Sequence, residues 1–201
     1  MSTMYNRPMP GKDDVQPARS SPAKYTYGDY VNFPADGQRH ELIDGEHVVT
    51  PTPERRHQQL SSRLHGAIWL YLRYAPIGEI YAAPLDVILS DRDLVQPDLL
   101  YVSRARSHVL GRWVHGAPDL VTEILSPSTR EADESDKRRQ YDQFGVREYW
   151  IVDPELEAVK IYQRAPDGSF PRVAELTRES GDAITTPLLP GFRLRLAELF
   201  E

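Results

Sequence analysis

Two carboxylates stand where carboxylates are costly. Asp98 lies in Val95-Gln96-Pro97-Asp98-Leu99-Leu100, and Glu123 in Val121-Thr122-Glu123-Ile124-Leu125. Both runs read as strands with apolar neighbours. Burying a charged acid there costs several kcal/mol unless it is paired or bound to a cation. Neither run carries a basic partner of its own. Acids on adjacent strands can share one hard cation, because Mg²⁺ is held by one or two carboxylates plus water and phosphate. Pro97 and Asp98 point to opposite faces of a strand, so the acid can face a cleft while the proline faces away. Phosphodiester hydrolysis also needs a positive group near the attacking water or the scissile phosphate. Leu125 occupies the place where a lysine would be expected after Glu123. The next helix offers one instead: Asp133, Lys137 and Tyr141 share a face at i, i+4, i+8, and that helix can fold back over the strand end.

Each candidate has a plainer account. Asp98 and Glu123 could be buried acids held by backbone amides. Lys137 could be the surface partner of Asp133, worth a few tenths of a kcal/mol. Asp86, opposite Leu85 and Val87, is a site acid or a polar surface group. His57, near the start of a long helix, reads better as structural than as a base. Ser126-Pro127-Ser128-Thr129 has no evident histidine partner, so helix capping accounts for it better than a nucleophile does. Arg104, Arg106, Arg112, Arg138 and Arg139 could touch phosphates but are ordinary surface residues. Tyr149, Trp150 and Ile151 read as core.

The elements that must position these groups follow from local patterning. Thr26 caps a short helix through Tyr30. His40 to Ile43 and Glu46 to Val49 flank Asp44-Gly45, a strong two-residue hairpin signal. Leu60, Leu64, Ala67, Ile68, Tyr71 and Leu72 give a long helix over 54–74 one apolar face, and Pro76 and Gly78 end it. Tyr81, Ala83, Leu85, Val87 and Leu89 alternate as one half-buried strand. Further strands are expected over 94–102 and 120–125. A helix capped by Ser128 or Thr129 runs to just before Gly145, with Glu131, Asp133 and Glu134 suiting its N-terminal dipole. Tyr149 to Val152 is a buried strand, and 158–163 is its hairpin partner. Strand runs interrupted by two helices fit α/β or α+β with a mixed central sheet.

The chain has 201 residues and a net charge of -6, enough for one domain with a proper core. Residues 1–24, with Pro8, Pro10, Pro17 and Pro22 among polar neighbours, read as a disordered tail, leaving 25–201 as a single domain. Cysteine is absent, which excludes disulfides and thiolate metal sites. No apolar run approaches a membrane span, and Met1 to Pro10 lacks a signal-peptide stretch, so the cytoplasm is expected. The acidic balance argues against broad nucleic-acid coating. It leaves a metal-dependent nuclease open, since an ion supplies positive charge locally.

Taken together, several runs resemble one known family. Glu41-Leu42-Ile43-Asp44-Gly45-Glu46, Pro84-Leu85-Asp86-Val87, Gln96-Pro97-Asp98-Leu99, Glu123 through Thr129 and Gly145 through Pro154 look like the Uma-two family of bacterial, restriction-endonuclease-like proteins. The resemblance covers about residues 25–200 in the right order. It implies a PD-(D/E)XK nuclease core, a mixed sheet flanked by helices with the hairpin at its N-terminal side. It implies Asp98 and Glu123 as metal ligands, a migrated lysine at Lys137 and an N-terminal acid best matched by Glu41. The resulting expectation is an endonuclease that hydrolyses DNA with Mg²⁺ or Mn²⁺ held by Asp98, Glu123 and the Ile124 carbonyl, with homodimerisation as a further option. The competing expectations are a nuclease fold kept as a binding or regulatory module, and a hydrolase of small phosphorylated molecules.

Overall fold

Asp44 and Gly45 take positive φ, 50° and 75°, the backbone that a two-residue hairpin between right-twisted strands requires and that Asp-Gly tolerates. The computed structural model that contains this hairpin describes residues 23–127 and 129–201. All of the expected tail but its last two residues, and the Ser128 cap, lie outside the described residues.

In chain order the elements are α1 (Tyr27–Tyr30), the hairpin strands β1 (Arg39–Ile43) and β2 (Glu46–Thr50), and the long helix α2 (Arg55–Tyr74). Next come β3 (Gly78–Ala82), β4 (Val87–Ser90), β5 (Asp93–Val95), β6 (Leu99–Ser103), β7 (Val114–His115) and β8 (Leu120–Ile124). A helical segment follows in three parts: α3 (Arg130–Ala132), a π turn (Asp133–Lys137) and α4 (Arg138–Gln143). The chain finishes with β9 (Glu148–Asp153), β10 (Ala158–Gln163), β11 (Arg172–Thr177), β12 (Ala183–Ile184), β13 (Leu194–Arg195) and α5 (Leu196–Leu199).

The main sheet has six strands in the order β11-β10-β9-β8-β6-β3. Its pairs are antiparallel except the central β8 and β9. A second sheet of five strands runs β2-β1-β5-β4-β7. This is the expected α/β class, with mixed sheets flanked by helices. The alternation of β6 and β8 divides the core. Leu99, Tyr101 and Ile124 face Leu60, Leu64 and Ile68 of α2. Leu100, Val121 and Leu125 face Tyr141 of α4 and Val87 and Val95 of the second sheet. Asp98 and Glu123 have the parity of this second face, so both acids point into the layer between the sheets and α4.

Two expected strands are each broken in two. The alternating run from Tyr81 to Leu89 stops at a cis Ala83-Pro84 bond and resumes as β4 in the other sheet. Proline has no N–H for the ladder, and the apolar alternation continues because both halves pack on a core. The run from Leu94 to Val102 breaks at Gln96-Pro97-Asp98. Asp98 therefore sits just before β6 rather than inside a strand. The backbone groups freed there are used by acids and by the neighbouring chain. The Gln96 N–H goes to Glu41 Oε1 at 2.8 Å, the Asp98 N–H to Glu123 Oε2 at 3.4 Å, and the Asp98 carbonyl accepts from Ala83 N–H at 3.0 Å. Among the described residues no helix is long and apolar enough to cross a membrane.

Candidate active site

Asp98 is held by groups from three elements. Its Oδ1 accepts from the Arg39 guanidinium of β1 at 2.8 Å. Its Oδ2 meets His57 Nε2 of α2 at 2.9 Å and accepts the Ile124 N–H of β8 at 2.9 Å. Burial alone would push this carboxyl up, but the His57 hydrogen bond and charge, Arg39 and the Ile124 amide together hold it below the usual 3.8. Because a carboxylate only accepts, His57 Nε2 is the donor in this bond. Its buried Nδ1 has no hydrogen-bond partner among the described residues.

Glu123 occupies a more enclosed setting. Its Oε1 accepts from Lys137 Nζ at 3.1 Å and from the Tyr141 hydroxyl at 2.8 Å. Lys137 also lies 3.1 Å from Glu41 Oε2 and 3.5 Å from Asp133 Oδ1. Lys137 is thus a buried cation among three buried carboxylates, which corrects the surface ion pair considered for it. Glu41 is likewise buried at 1% exposure, fixed by the Gln96 amide and by Thr50 Oγ1 at 3.3 Å. The hairpin carries it inward rather than toward water. The π turn between Asp133 and Lys137 widens the helix where both side chains enter the cluster, a placement often found at functional sites. Burial pushes Glu123 up to about 8, with Lys137 pulling it down and Asp133, Asp98 and Glu41 raising it further. Burial raises Asp133 as well. Burial would depress Lys137, yet Glu123, Glu41 and Asp133 hold it well above its ordinary value.

Four carboxylates (Glu41, Asp98, Glu123, Asp133) therefore face two permanent cations, Arg39 and Lys137. Those hard oxygen donors, with no thiolate among them, fit a Mg²⁺- or Mn²⁺-type ion in kind. Among the described residues, no group of three or more His, Asp or Glu forms a ready-made cage. An ion would rely on Asp98 and Glu123 supplemented by backbone and water, and would compete with Arg39 and His57 for Asp98.

A cavity of about 540 Å³ reaches this cluster at Asp98, with Arg39, His57 and Gln96 in its wall beside Ser61 and His65 of α2. Glu123 and Lys137 lie behind Asp98, away from that wall. The structure thus brings together Asp98, Glu123, Lys137 and Glu41, with Ile124 touching Asp98 through its N–H. Asp86 is elsewhere, accepting from Tyr30 and Gln96 at 3.0 and 2.8 Å. Of the arginines considered for phosphates, Arg106 binds the Ala117 carbonyl, Arg139 pairs with Asp136 and Arg138 lies over Tyr162. The sequence pattern does not single out Arg39, and it favours a structural account of His57. The signal available for His57 is its place on the buried face of α2, three residues before Leu60; β1 offers no such signal for Arg39.

Residues 27–197 match the family Uma2, described as "Putative restriction endonuclease". A crystal structure described as a "putative nuclease belonging to DUF820 from Anabaena variabilis" is similar with a TM-score of 0.73 at 20% identity. The match covers 87% of this chain and 97% of that one, and at this identity it speaks for the fold. No curated protein matches.

Proposed function

The chain belongs to the Uma2 family, and from that premise we propose that it is a metal-dependent endonuclease acting on DNA. The observation that carries this reading is the meeting of Asp98, Glu123 and Lys137 in one buried cluster whose Asp98 lines a cavity. Asp98, Glu123 and the Ile124 carbonyl would hold Mg²⁺ or Mn²⁺. The chemistry such an ion supplies is acidification of a water and neutralisation of charge at the phosphoryl oxygens.

The chain's own groups do the rest. Arg39 and His57 keep Asp98 ionised and aimed at the cavity. Lys137 fixes Glu123 and is the group assigned to orient the attacking water. Its three N–H donors are spent on Glu123, Glu41 and Asp133, so a water gains a donor most easily in place of the long 3.5 Å contact to Asp133. Glu41 holds Lys137 from the hairpin side and pins the Gln96 amide next to Asp98.

One observation favours a second reading, a nuclease fold kept for binding. Both Asp98 oxygens already have protein partners. Purified protein incubated with plasmid DNA and Mg²⁺ or Mn²⁺ decides between the two. Cleavage that disappears in Asp98→Ala, together with loss of Mn²⁺ binding, supports the nuclease. Mn²⁺ that fails to bind and DNA that stays intact with wild-type protein support the binding module.

A further inference from the structure

A second cavity, of about 480 Å³, adjoins the first. Gln38 and Gln96 line both. Its other walls are unlike those around Asp98, with the rings of Tyr27, Tyr30, Phe33 and Trp113, and with Arg112 and Asp86. Arg112 is exposed and lies over the Trp113 ring, 5.3 Å from its centroid. Asp86 Oδ1 accepts from both the Tyr30 hydroxyl and Gln96 Nε2. Because a carboxylate only accepts, the Gln96 amide nitrogen must face it, and the buried Oε1 of Gln96 is left without a partner among the described residues. The cavity thus combines aromatic rings, of which Tyr27 and Tyr30 stack on each other, with a guanidinium over the Trp113 ring. Its volume is in the range of small-molecule sites, about 300–1,000 Å³.

We propose that this cavity is a nucleobase subsite. It takes the unpaired base of a nucleotide flanking the phosphate held at Asp98, by stacking on its aromatic rings, with Arg112 facing the backbone. The proposal rests on the nuclease reading and deepens it: the substrate presents at least one unstacked, unpaired base beside the cleaved bond. Aromatic rings can stack only a base whose face is free, and such stacking tolerates any base. Stacking also answers the charge problem. A chain of net charge -6 gains little from counterion release, so affinity has to come from contacts that do not depend on charge. The shared residues Gln38 and Gln96 put the two cavities side by side, which suits neighbouring nucleotides of one strand.

The test uses fluorescently labelled single-stranded DNA of about eight nucleotides, within the usual site sizes for such strands. A series carries one abasic position moved along the strand. Binding is measured by anisotropy with the full chain in EDTA, and cleavage of the same strands is measured separately with Mg²⁺ or Mn²⁺. One abasic position should weaken wild-type binding about ten-fold, the scale of losing one stacked base, while the other positions matter little. In Trp113→Ala, and independently in Tyr27→Ala, that position should become as tolerant as its neighbours. Strands that bind and are cleaved with every abasic position equally tolerated would overturn the subsite and leave the nuclease standing. A sensitive position unchanged in both variants would also overturn it, because the base would sit elsewhere. Strands that neither bind nor are cleaved would remove the nuclease reading, and the subsite with it.

Discussion

The two ends of the carboxylate cluster solve the same problem in opposite ways. Asp98 is kept charged by neighbours that reach it from separate elements, and it meets a cavity. Glu123 is enclosed by Lys137 and Tyr141 and pushed up to about 8. The open end is an acid ready to act, whereas the enclosed end is an acid whose charge depends on one lysine. What separates them is the number and kind of donors available to each, since both are buried to a similar degree.

The largest effect that could break this comparison is at Lys137. Lys137→Met leaves Glu41, Glu123 and Asp133 facing one another without their shared cation, and should cost about 3–5 kcal/mol of stability, the scale of breaking a buried pair. Urea denaturation in EDTA measures it, and a loss below about 0.5 kcal/mol would return Lys137 to the class of surface ion pairs.

The pH dependence separates the two ends by sign. Glu123 has a folded value raised above its ordinary 4.5, so the stability linked to its proton is fully present below 4.5 and is lost as pH rises toward about 8. Asp98 is held below its ordinary 3.8, so its contribution is present above 3.8 and lost as pH falls. Metal-free wild type should therefore lose stability from Glu123 between pH 4.5 and 8. Glu123→Gln should flatten that window, and Asp98→Asn should instead flatten the decline in acid. Melting temperatures across pH read both, and identical profiles for the two variants would erase the distinction.

Smaller effects sharpen it. Arg39→Ala removes one charged hydrogen bond from a partly exposed group and should cost about 1.5 kcal/mol, well below Lys137→Met. Tyr141→Phe removes one donor from Glu123 and should cost about 1 kcal/mol. It should also move the upper edge of the Glu123 window to higher pH, because a hydrogen bond to the charged form is lost. An unchanged window would show that Tyr141 fills space without holding the acid.

Much of this arrangement is readable along the chain. Asp44-Gly45, the apolar stripe of α2 and the buried run of β9 are local signals, and local signals survive folding. Glu123 inside β8 and Lys137 on the following helix are legible for the same reason, since one hydrophobic period places each. The broken strands are not. Alternation through Pro84 continues because both halves pack on apolar cores, so the pattern does not show the change of sheet. Arg39 and His57 become partners of Asp98 only when the hairpin and the long helix converge on the Gln96-Pro97-Asp98 break. No spacing in the sequence encodes that meeting. The π turn is equally hidden, because Asp133 and Lys137 look correctly placed for an ordinary helix.

That turn has a consequence for how the segment tolerates changes of length. A π turn is geometrically an α-helix with one residue inserted, and each residue of an α-helix advances the chain by about 100°. Removing a single residue between Asp133 and Lys137 would let the wider turn relax to a regular helix with the phase of its flanks kept, because the turn already absorbs one extra residue. Thr129 and α3 at one end, and the buried Tyr141 and Gln140 at the other, would keep the faces they present. The same deletion within regular α4 would instead rotate one end against the other by about a quarter-turn. Changes of length are therefore absorbed at this turn and not beside it.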